Sequence, residues 1–150
     1  LSEDRVRGYK HFANKLWNIT RFVLTANVDA TYEQDAALTE ADAALVHELS
    51  ELVASVSDLI TRNRIDLASD HLYHFAWHRF ADEILEDSKP IISGDDQTAQ
   101  ASRQLTLLKI HTTLIKLLHP FMPFVTEAIW KELPSHVKDR DMLMVSAWPR

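Results

Sequence analysis

The 150-residue chain has no cysteine and only two glycines, Gly8 and Gly94. Without cysteine there are no disulfides and no thiolate metal sites, which suits a reducing, cytoplasmic compartment. So few glycines argue against sheets closed by tight hairpins, and neither lies in a glycine-rich phosphate loop. No apolar run approaches membrane-spanning length. Positive charge is scarce overall: 16 Lys and Arg stand against 22 Asp and Glu, for a net charge of −6. That balance weighs against an indiscriminate, polybasic binder of nucleic acid. No signal-peptide pattern is present and the first residue is Leu1, so we expect a fragment of something longer.

What remains is an ordinary globular mix, 46% hydrophobic and 25% charged, enough for one domain over residues 1–150. Apolar periodicity predicts five helices. The first spans about Arg5–Thr25, and Asn27–Leu38 is a connector. Thr39 caps a second helix that runs to about Asn63, with acids in its first turn and an apolar stripe of Leu45, Leu49, Leu52, Val56 and Leu59. A third starts at Asp66 or Ser69 and stops near Ser88, because Pro90 follows. Its core arc is Leu72, Ala76, Phe80, Tyr73, Ile84 and Trp77. Ile91–Asp96 reads as a loop. The fourth helix, Thr98–Leu118, is apolar over half its circumference and belongs at the centre. The prolines of His119–Pro123 break the chain before a fifth helix to Leu133, and Phe121, Phe124 and Trp130 read as core. The tail Met142–Trp148 reads as extended. The expectation is an all-α antiparallel bundle of long helices.

Charge is unevenly placed. Residues 29–58 carry Asp29, Glu33, Asp35, Glu40, Asp42, Glu48, Glu51 and Asp58 with no Lys or Arg, whereas Arg5–Val28 carries no acid. On the first helix one side gathers Val6, Tyr9, Phe12, Ala13, Leu16, Trp17, Val23 and Leu24. The other collects Lys10, Arg21, Asn14, Arg7, Asn18, His11, Phe22 and Lys15. Cations for phosphates, amides for base edges and a ring for stacking are what single-stranded RNA recognition requires. Lys15 lies at the edge of this arc and is open to pairing with an acid on the second helix instead. Phe22 is open to anchoring the connector rather than stacking a base.

Two other clusters carry less. His71, His74 and His78 share the polar side of the third helix with Asp82 alongside; an i, i+4 His pair is a zinc or nickel spacing, but no residues arranged to orient such ligands are evident. Asp82, Glu83, Glu86 and Asp87 crowd a helix end with no apolar pocket to shift a carboxyl pKa. We expect neither a metal site nor a catalytic residue.

Three segments together resemble the anticodon-binding domain of valyl-tRNA synthetase: GYKHFANKLWNITRF, DHLYHFAWHRFADEILEDSKP and LLHPFMPFVTEAIWKEL, with Ala-Trp-Pro at 147–149. The likeness covers essentially the whole chain. The isoleucyl, leucyl and methionyl relatives share the bundle with different helix sequences. His74 and His78 depart from the family, where acids or amides are more usual.

The resemblance implies a class I helical bundle that binds the anticodon stem-loop of valine tRNA, working beside the catalytic domain of a parent chain. The HIGH and KMSKS signatures of that catalytic domain are absent here, so chemistry, ATP and magnesium belong to the parent, and the domain itself needs no cofactor. It implies a cytoplasmic monomer without membrane contact. Valine anticodons carry A in the middle and C in the third position. Asn14 and Asn18, one turn apart, can bond such edges bidentately. Arg21 offers a planar fork, Phe22 a stacking face, and Arg7, Lys10, Lys15 and His11 reach the backbone. The competing expectation is a helical protein-interaction scaffold using the acidic second helix.

Overall fold

The computed structural model describes residues 3–28, 30 and 37–150, with the side chains of 4–6 left aside. It is all-α. Helix α1 spans Glu3–Asn27 and α2 spans Glu40–Thr61. A single rod then begins as α3 (Ile65–His74), widens into a π-helical segment (Phe75–Ile84) and returns to α geometry as α4 (Leu85–Ile92). Helices α5 (Gln97–Leu118) and α6 (Pro123–Glu132) complete the bundle, followed by 3-10 turns at Ser135–Val137 and Leu143–Val145. Most of the connector expected at Asn27–Leu38, including Asp29, Glu33 and Asp35, lies outside the described residues.

Local chemistry sets the ends. Thr39 caps α2 by accepting from the Asp42 N–H, as the sequence suggests. The same helix closes with Asn63 at φ 58°. The Arg64 N–H bonds to the Leu59 carbonyl and the Asn63 N–H to that of Ile60, the paired bonds of a Schellman motif with asparagine in the left-handed position. Asp96 caps α5 through the Ala99 N–H, two residues before the expected start.

Helix α5 is the axle. Its buried residues include Leu107, Leu108, Ile110, Leu114, Ile115, Leu117 and Leu118, and it packs on α1, α2, α3, α4 and α6. Against it α1 turns Phe12, Leu16, Ile19, Thr20 and Val23, all buried. Tyr9, placed by the sequence on the apolar side, is 62% exposed, and Trp17 lies half-buried at the margin of the core.

Four expectations fail in whole or in part, for physical reasons. The third rod does not stop at Ser88 but continues through Pro90 to Ile92. Pro90 supplies no N–H to the ladder, and the rod ends within a turn of it, so Ile91 and Ile92 are helix and not loop. Of the core arc expected on that rod, Leu72, Ala76, Phe80 and Ile84 are buried, but Tyr73 and Trp77 are not. Phe75, Phe80 and Leu85 are all buried and lie five residues apart, the spacing of a π-helix. Tyr73 is thereby left partly exposed and Trp77 half-buried. Phe124 is 91% exposed. It follows Pro123 in the first turn of α6, whose inward line is Thr126, Ile129 and Trp130. The tail is extended at Met142 and Ser146 but turns through a 3-10 segment at Leu143–Val145, where Glu127 accepts from the Leu143 and Met144 N–H groups.

Candidate nucleic-acid interface

The outer face of α1 follows from its inner one. With Phe12, Leu16 and Val23 fixed on the core, about 100° per residue places Asn14, Arg21, Arg7 and Asn18 on the far side. The structure leaves Arg7, Lys10, His11, Asn14, Asn18 and Arg21 all exposed. No other described segment covers the two carboxamides or the Arg21 guanidinium. The face therefore offers paired donor–acceptor groups flanked by cations, with no carboxylate on its own helix between Arg5 and Val28.

The other two candidates, Lys15 and Phe22, sit differently. Phe22 is half-buried and packs against the core, so only part of its ring remains available for stacking. Lys15 Nζ lies 3.2 Å from Asp82 Oδ1 and 5.1 Å from the centroid of the Trp77 ring. Its carboxylate partner is on the π-helical segment, not on the second helix as the sequence suggested. The widened turns bring Trp77 and Asp82 to the edge of α1, where Phe12, Tyr73 and Trp77 form an aromatic seam with centroids 5.0 to 6.3 Å apart. Neither Trp77 nor Asp82 stands out in the sequence as a neighbour of α1. A 3.6-residue period puts Trp77 in the core, and Asp82 is lost in a run of acids.

Beside this seam His74 and His78 stack with ring centroids 5.4 Å apart. Each faces a carboxylate, His74 with Asp70 at 3.6 Å and His78 with Asp82 at 3.6 Å. His71 turns away to Ser55, at 3.2 Å. The acidic helix is partly committed inside the molecule. Glu48 receives two bonds from Arg79, at 2.7 and 2.8 Å. Glu48 and then Glu83 hold that guanidinium protonated well above the usual arginine range.

Residues 42–150 match the family model of the anticodon-binding domain of tRNA ligase. The chain belongs to the family of anticodon-binding domains of tRNA ligases. The relatives it matches carry the name valine–tRNA ligase. One from Xylella fastidiosa (strain M12) is 39% identical over 86% of this chain. One from Pelagibacter ubique (strain HTCC1062) is 36% identical over 99% of it, and one from Brucella suis biovar 1 (strain 1330) is 37% identical over 99%. The near-complete alignments include α1, which precedes the family match. The chain spans only 15 to 17% of the length of these relatives.

Proposed function

We propose that this chain holds the anticodon stem-loop of valine tRNA as the recognition domain of a cytoplasmic valine–tRNA ligase, acting as a monomeric module beside the catalytic domain of its parent. ATP, magnesium and aminoacylation belong to that parent. The observation that carries the reading is the outward face of α1. Asn14 and Asn18 address base edges, Arg21 a base or a phosphate, and Arg7, Lys10 and His11 the backbone, while the exposed part of Phe22 meets an unpaired base. Each phosphate neutralised on a single strand contributes a slope of about −0.7 to the logarithmic salt dependence. The relatives' shared name supports valine over the other class I specificities, and the commitment of Glu48 to Arg79 weakens the case for a protein-binding acidic helix.

The test is a titration of the valine anticodon stem-loop at low and high salt, with non-valine stem-loops as competitors. Salt-sensitive binding that the competitors do not displace supports the reading. Equal displacement by every loop moves it to another synthetase, and no binding at low salt removes it.

A further inference from the structure

Asp82 lies between Lys15 of α1 and His78 of its own rod. Its Oδ1 meets Lys15 of α1 at 3.2 Å and its Oδ2 lies 3.6 Å from His78 Nδ1. The Lys15 side chain is 28% exposed and Asp82 is 49% exposed, so the pair closes over the seam without being sealed in it. Lys15 also covers Trp77. Its charge is therefore held sideways, toward the π-helical segment, although its backbone position borders the outward face of α1. We infer that Asp82 is a latch: it parks Lys15 against the π-helical segment in the free domain and releases it to an RNA phosphate on binding. The inference deepens the proposed function and rests on it.

The experiment uses the whole chain and the valine anticodon stem-loop RNA, titrated at pH 7.5 and at two salt concentrations. Asp82→Asn frees Lys15 and is expected to tighten binding about twofold to fivefold at pH 7.5, the scale of an exposed ion pair. In a Lys15→Gln background that gain disappears, because the cation it releases is gone. Were Asp82→Asn to tighten binding equally with Lys15 removed, the carboxylate would act by general repulsion and there would be no latch. A wild-type chain that binds no RNA at any salt defeats the proposed function itself, a distinct result.

Discussion

Asp42 and Arg103 meet inside the bundle, with Nε 2.5 Å from Oδ1 and both side chains under 10% exposed. The carboxylate also accepts from Ser102 and Thr39 hydroxyls, and the guanidinium donates to Ser88, itself fully buried. One charged pair thus ties the start of α2 to α5 and α4. Removing one partner strands the other, buried away from bulk solvent. Asp42→Ala or Arg103→Ala is expected to cost about 3–5 kcal/mol. Replacing both by apolar residues of similar volume is expected to cost much less than the sum. Urea unfolding midpoints of the two single variants and the double variant measure it.

His111 predicts how the fold responds to acid. It is buried on α5 beside Thr20 of α1, with Nε2 2.8 Å from the hydroxyl. Burial pushes its imidazole down to about 4 from the ordinary 6.5. The folded domain thus refuses a proton that the unfolded chain accepts. Its contribution is fully present above about pH 6.5 and is lost as pH falls toward 4, on the order of 3 kcal/mol across that window. Chemical unfolding at pH 7, 5.5 and 4.5 is expected to show a decline that flattens in His111→Gln.

The carboxy-terminal segment depends on another carboxylate. Asp139 accepts from Lys116 Nζ at 2.8 Å, from Ser146 and from the Ala147 N–H. The Lys116 ammonium first, and then the Ser146 hydroxyl, hold its carboxyl well below the usual aspartate range. A carboxyl shifted this way keeps its contacts above the ordinary aspartate pKa and gives them up only as pH falls through its own lowered value. The segment is therefore expected to stay docked at pH 4, with Trp148 donating to Ser57. Asp139→Asn is expected to speed amide exchange at Ser146–Trp148 while leaving α5 protected, as hydrogen-exchange measurements would show.

The helices and their order are legible in the sequence because apolar spacing, the Thr39 cap and the prolines near His119 all act locally. The outward turn of Asn14, Asn18 and Arg21 is legible for the same reason, since it follows from the face that Phe12, Leu16 and Val23 must bury. What escapes is the geometry set between elements. The π-helical segment keeps Ala76, Phe80 and Ile84 inward as patterning expects, but it also brings Phe75 and Leu85 into the core and leaves Trp77 at its edge. The partners of Lys15 and Asp42 come from helices whose packing no local pattern states. Phe124 is misread as core because an aromatic beside prolines carries no direction until the axis of α6 is fixed.

The most direct measurement is the affinity of the Asn18→Ala, Arg21→Ala double variant for the valine anticodon stem-loop, with helicity followed by circular dichroism. The account predicts unchanged helicity, because both side chains are exposed, and binding weaker by at least about tenfold with a shallower salt slope. Wild-type affinity and an unchanged slope in a fully helical double variant would contradict it.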